Sequence, residues 1–275
     1  MIIQPIKTRV FKEGGDLFAF VTSYLPKIRE RSVIVVTSKI VALSERRTAI
    51  IEDEHTKEKL VRAESEFAVE TEYVWLTIKD GMVMASAGID ESNADGKLIL
   101  LPKDSFKAAR VLRKKLKQKY GLNEIGVLIT DSRTIPLRAG VTGVALGYAG
   151  FRGVRDYRGT PDIFGRILHF SRTDVADSLA TVAVLVMGEG KEQQPLATIK
   201  DAPIEFRDTI SRKELHIDIE DDMYRPLFSH LPKSRITKPK YSLCKKTTTT
   251  TYNNRMRMYT MRSSVRKNAK RRGWS

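Results

Sequence analysis

The sequence predicts an α+β fold with mixed, largely antiparallel sheets, on three observations. Hairpin and helical patterns are interspersed rather than strictly alternated. Two β-rich runs, "YVWLTIK" and "MVMAS", flank Asp80-Gly81, a dipeptide that accepts the positive φ angles of a type I′ turn. The β-branched run "SVIVVTSK", Ser32 to Lys39, reads as a short buried strand.

In chain order, Asp16 to Glu30 places Leu17, Phe18, Phe20, Val21, Tyr24, Leu25 and Ile28 near helical spacing, with Pro26 disturbing the last turn. The strand Ser32 to Lys39 and the hairpin about Asp80-Gly81 follow. "DSFKAARVLRKKLKQKYG" predicts a helix capped by Asp104 or Ser105 and closed at Gly121. "IGVLITD" reads as another buried strand. Gly140, Gly143, Gly147, Gly150 and Gly153 then recur every three or four residues. That spacing suits close backbone packing or a chain of turns, and also the wall of a substrate pocket. A strand near Ile163 to Ser171, a helix from about Asp174 to Met187 and a strand at Leu196 to Lys200 complete the body.

With 275 residues, 41% of them hydrophobic, the chain can bury a sizeable core. Without an 18-residue apolar run or a signal-peptide pattern, the expected location is the cytoplasm, with no membrane partner. A single cysteine, Cys244, excludes an internal disulfide and a cysteine-based zinc site, and His55, His169, His216 and His230 show no ligand-like spacing.

The net charge of +16 is unevenly placed: residues 233–275 hold 14 of the 49 Lys and Arg and no acid, leaving 35 basic against 33 acidic residues before them. This segment, with five consecutive threonines and no apolar periodicity, reads as a disordered basic tail after a catalytic body of residues 1–232. Its charge suits nucleic acid or a membrane surface. The alternative is an appendage without function.

Three carboxylates sit where elements end. Asp90 follows the strand closing near Ser86, in the oxygen-rich "DESNAD"; Asp131 follows "GVLIT"; Glu189 follows the helix ending "VLVMG". Such carboxylates, flanked by Ser92, Asn93, Ser132, Gly188 and Gly190, can converge on a hard divalent cation while backbone amides approach a phosphate. Each, taken singly, is read first as a helix cap or turn former. Neither G-x-x-x-x-G-K-[ST] nor a strand-following G-x-G-x-x-G is present, since Gly190-Lys191 leads into Glu192. In the glycine-rich stretch, Tyr148, Phe151 and Tyr157 could stack on a flat acceptor, and Arg152, Arg155 and Arg158 could pair with an anion. The competing reading makes these rings core and these arginines solvated.

"SAGIDESN", "GVLITDS", "GVTGVALGYAGFRGVRD" and "VLVMGEG", in this order and at these separations, resemble the γ-glutamyl ligase family typified by coenzyme F420-0:L-glutamate ligase, over roughly residues 2–205. The family includes γ-glutamate ligases assigned to folate metabolism. The resemblance implies two interleaved subdomains, a homodimer, and two divalent ions, Mg2+ or Mn2+, with K+ a further candidate. One ion would fall to Asp90 and Asp131, which are then also the catalytic residues, and the other to Ser132 and Glu189. The implied nucleotide contacts, to GTP or ATP, are Thr8, Arg9, Val10, Phe11, Ser38, Lys39, Asn93, Met187, Gly188 and Gly190. Two departures stand out: Leu43 where relatives carry a lysine, and Glu45-Arg46-Arg47 where they read Glu-Gly-Arg.

The implied reaction passes the terminal phosphoryl group of the nucleotide to an acceptor carboxylate. The amine of L-glutamate then attacks the acyl phosphate. The acceptor is a coenzyme F420-0-like cofactor precursor or, alternatively, a folate-type compound. A reading of another class keeps the body as a non-catalytic nucleotide-binding protein whose basic tail contacts nucleic acid.

Overall fold

The computed structural model describes residues 1–50 and 53–228. Its centre is a five-stranded sheet in the order β1 (Ile2–Ile6), β12 (Leu196–Lys200), β2 (Ser32–Thr37), β8 (Ile125–Thr134), β9 (Val141–Ala149). Only β2 and β8 run parallel; the other neighbours are antiparallel. Both faces are covered, which explains why β2 and β8 read as unbroken apolar runs. Ile34, Val36, Val127 and Ile129 point into one core, and Val33, Val35 and Leu128 into the other, as the two-residue period of a strand requires.

The first face carries α1 (Leu17–Tyr24) and α4 (Ser105–Tyr120), the second α5 (Val175–Met187). Helix α1 begins at the cap Asp16 as expected but stops at Tyr24, because Leu25, before Pro26, is pushed out of the helical region. Helix α4 runs from the Asp104 cap to Gly121, whose φ of 66° closes it. The strand read through Lys39 ends at Thr37, and Ser38 and Lys39 open the short helix α2 (Ser38–Ser44).

Between α2 and α4 the chain builds a second group of elements. Strands β3 (Thr48–Ala49) and β7 (Leu98–Ile99) pair, α3 (Glu54–Glu64) follows β3, and β4 (Phe67–Glu70), β5 (Trp75–Lys79) and β6 (Met82–Ala85) form an antiparallel meander. Asp80 and Gly81, at φ 51° and 76°, make the expected turn. Glu64 accepts from Arg47 at 2.6 Å and Lys79 at 3.0 Å, all three side chains at most 20% exposed. Burial pushes the Glu64 carboxyl up, but Arg47 and Lys79 outweigh it and hold the carboxyl below the ordinary glutamate value. Its stabilisation is therefore present above the unfolded-state pKa and fades as pH falls through the folded one. Glu64→Gln should cost about 3 kcal/mol at pH 7, since two cations lose their anion. Urea unfolding at pH 7 and near pH 3 should show the difference from wild type shrinking in acid; a constant difference would contradict this account.

The strand expected near Ile163 to Ser171 does not form. Asp162 accepts from the amides of Phe164 and Arg166, closing a side-chain-stabilised turn, and Ile163, Phe164 and Phe170 are exposed. A shorter strand, β11 (Arg172–Asp174), pairs instead with β10 (Val154–Asp156). The middle of the glycine-rich stretch becomes β9, and Gly143, Gly147, Gly150 and Gly153 serve close packing, whereas Gly140 stands in open space at φ 88°. A Cβ at Gly147 would lie 2.5 Å from the backbone of Ser105 and Phe106. The expected basic tail, residues 233–275, and His230 lie outside the described residues.

Candidate active site

Asp90 is delivered by an unusual strand exit. After β6, Ser86, Ala87 and Gly88 take φ of 47°, 56° and 70°, turning the chain so that Asp90 exchanges two backbone hydrogen bonds with Ile99. Its carboxylate then accepts from the Ser92 amide at 2.7 Å and the Ser92 hydroxyl at 3.0 Å, and pairs with Lys39 at 2.8 Å. Burial raises the Asp90 carboxyl, yet the Lys39 ammonium and the Ser92 donors prevail and hold it below the ordinary aspartate value. Asp90 is thus a carboxylate at neutral pH.

Asp131 departs from expectation in one respect. Strand β8 does not end at Thr130 but continues to Thr134, after a register shift in which Leu146 of β9 is skipped between the pairs Ile129–Gly147 and Thr130–Ala145. Beyond such an irregularity a strand is re-aimed, which is why the apolar run stops there while the pairing does not. Asp131 Oδ1 accepts from Ser38 Oγ at 3.0 Å, and Oδ2 pairs with Arg133 Nη1. The next residue, Ser132, donates its hydroxyl to Glu189 Oε1. Glu189 arrives from the end of α5, where Gly188 caps the helix at φ 81°.

Asn93 Nδ2 donates to the Gly190 carbonyl at 3.3 Å. These contacts close a ring: Asp90 to Lys39, its neighbour Ser38 to Asp131, Ser132 to Glu189, Gly190 to Asn93, and Ser92 back to Asp90. Four segments far apart in sequence meet in it. The side chains on this ring that could hold a cation, Asp90, Asp131, Ser132 and Glu189, offer only oxygen, the donor that hard divalent ions take. Among the described residues they do not gather as one compact cluster of three or more acidic, His or Cys ligands.

The remaining expected contacts divide. The Thr8 amide donates to Gln193 O at 2.9 Å, so the segment from Thr8 runs beside the loop after α5. Arg9 stands over the Phe20 ring and Val10 is exposed. Phe11 and Met187 point into the two cores, leaving only their backbones to meet a ligand. Leu43, on α2, packs against the core, and Arg47, in the second departure, is spent on Glu64.

Of the three rings offered for stacking, two need correction, while Tyr157 is only half-buried. Tyr148 and Phe151 are fully buried, and Glu214 accepts from the Tyr148 hydroxyl at 2.6 Å. Arg152 pairs with Glu205, Arg158 with Asp156, and Arg155 donates to the Pro203 carbonyl. Sequence reasoning missed Arg133 altogether: a lone arginine in "TDSRT" has no motif, and only strand geometry sets it beside Asp131.

This is a mixed α+β protein whose oxygen-rich site is assembled from strand exits and a helix end. The family described as F420-0:Gamma-glutamyl ligase matches residues 5–201, and the chain belongs to that family of ligases. It is 32% identical over 216 residues to a coenzyme F420:L-glutamate ligase of Methanococcus maripaludis, covering 72% of this chain and 86% of the relative. A relative of the same name from Haloarcula marismortui is 37% identical over 221 residues, 78% of this chain and 85% of the relative. Another, from Methanopyrus kandleri, is 32% identical over 212 residues, 70% and 84%. Among the described residues no helix is long and apolar enough to cross a membrane.

Proposed function

We propose that this protein joins L-glutamate to the carboxylate of a coenzyme F420-0-like precursor, at the expense of GTP or ATP and through an acyl phosphate. The relatives' shared name supports the acceptor class and the amino acid. The observation that carries the site assignment is the ring linking Asp90, Asp131, Ser132, Glu189 and Asn93.

The donor set fits a pair of Mg2+ or Mn2+ ions, one at Asp90 and Asp131 and one at Ser132 and Glu189, which would neutralise charge on the nucleotide's phosphate oxygens. The protein's own part is positioning. Lys39, tied to Asp90 and to the Ser92 carbonyl at 2.8 Å, brings a cation to the ring's edge. Gly188 and Gly190 present no side chain of their own to a phosphate, but the Glu192 carboxylate accepts from the Gly190 amide at 2.8 Å and would have to give way to one; Asn93 ties the 188–190 loop to the Asp90 segment. Holding acceptor carboxylate and glutamate amine together removes much of the entropic barrier. A homodimer belongs to the same reading.

The purified full-length protein should be incubated with Mn2+ or Mg2+, L-glutamate, GTP or ATP, and either F420-0 or a folate acceptor. Mass spectrometry should find one or more glutamates added to F420-0, with one nucleoside diphosphate and one phosphate released per addition. Glutamate added to the folate alone would move the acceptor to that class. No addition to either, under either nucleotide, would overturn the ligase reading.

A further inference from the structure

Arg133 is a nearly buried cation whose donors are only partly used. It lies two residues after Asp131 on β8, so strand geometry puts both side chains on one face. The side chain is only 9% exposed. Its Nη1 donates to Asp131 Oδ2 and, at 2.9 Å, to the Ser132 carbonyl. Its Nε and Nη2 are buried without an acceptor. An arginine kept for structure alone usually spends its forked donors; this one donates through a single nitrogen, to Asp131 and the Ser132 carbonyl, with Asp177 a more distant anion that also feels its charge. With Ser38 on Oδ1, both oxygens of Asp131 are engaged.

We infer that Arg133 is a positioning residue for Asp131 and the resident counter-charge against which a divalent cation must compete at that carboxylate. This inference rests on the metal reading given above. Without a cation, the guanidinium holds the Asp131 carboxylate toward Ser38 and neutralises it. A metal ion at Asp131 meets that positive charge at close range and in a poorly solvated position, where like-charge repulsion is weakly screened. The affinity of the site for a metal ion alone is therefore lower than its oxygens would allow.

The test is Mn2+ binding to the full-length protein without nucleotide, followed by electron paramagnetic resonance of free Mn2+, with near-ultraviolet circular dichroism to confirm folding. Arg133→Met, which keeps the apolar stem and removes the charge, should tighten Mn2+ binding on the order of tenfold, the effect of about one pKa unit of charge interaction. Arg133→Lys keeps a cation at that depth and should bind Mn2+ near the wild-type value. A purely structural arginine would give the opposite pattern, with the Met variant binding no better than wild type. If Arg133→Met fails to fold, Arg133→Gln takes its place with the same expectation. Unchanged or weaker binding in the folded neutral variant, or no Mn2+ binding in either protein, overturns the inference. Asp131→Asn separates the two ideas. If it leaves wild-type Mn2+ binding intact, the metal reading of Asp131 fails. If it abolishes binding while the neutral Arg133 variant shows no gain, only the role of Arg133 fails.

Discussion

Replacing Asp131 by Asn should reduce glutamate transfer on the order of a thousandfold, the scale of losing a preorganised charged group at a reacting centre. The same change should also lower stability. Asp131 is the anion paired with the nearly buried Arg133, and an amide at Oδ2 presents either a weaker acceptor or a clashing donor. Stranding a poorly solvated cation costs about 3 kcal/mol, a fall in Tm of roughly 6–12 °C for a body of this size. The fold should survive, because the β8 backbone pairing does not depend on the carboxylate. Activity at several temperatures, beside thermal melting, separates the two effects. Near-wild-type transfer by the folded variant would remove Asp131 from the chemistry, and an unchanged Tm would remove the Arg133 pair from the stability account.

The second large effect is expected at Gly143, which carries no proposed ligand itself but lies across the β8–β9 ladder from Ser132. Helix α5 packs directly on it. A Cβ there would stand 2.7 Å from the Ala180 carbonyl carbon and 2.8 Å from Val184 Cβ. Thr181, on the same turn of α5, also donates to the Gly143 carbonyl at 2.8 Å. Gly143→Ala must push α5 off the sheet, at a cost of about 3 kcal/mol for overpacking against backbone. Since the end of α5 carries Glu189 to Ser132, the displacement should also open that contact. Gly147→Ala is the control: it overpacks against the backbone of Ser105 and Phe106, and so pushes on α4 instead. At a temperature where both variants are folded, Gly143→Ala should lose far more glutamate transfer than Gly147→Ala. Equal losses would mean that the position of α5 does not govern the site.

The helices with strong ends were legible from residues alone. Asp104 and Gly121 frame α4, and Asp174 caps α5, because capping is chemistry local to a few residues. The Asp80-Gly81 turn was legible for the same reason. The helix α2 was hidden because its first turn, Ser38 and Lys39, continues a β-branched run with no stop signal between. The 163–171 segment misled in the other direction. Its apolar residues suggested a strand, but the Asp162 side chain supplies the backbone with a turn, and the segment folds back on residues 157–162 through isolated backbone bonds instead of running as a strand.

By itself the sequence determined the α+β class and the apolar runs that fill the two cores. These are properties of composition, periodicity and local propensity, which are written along the chain. Only the tertiary structure decided that Asp131 shares its face with Arg133, that Lys39 pairs with Asp90 across 51 positions, and that Tyr148 and Phe151 are core rather than pocket. Those outcomes depend on strand register and on which helix covers which face of the sheet. A one-residue change of register reverses the direction of every side chain, so they follow from the packing of the whole body and not from any stretch of it.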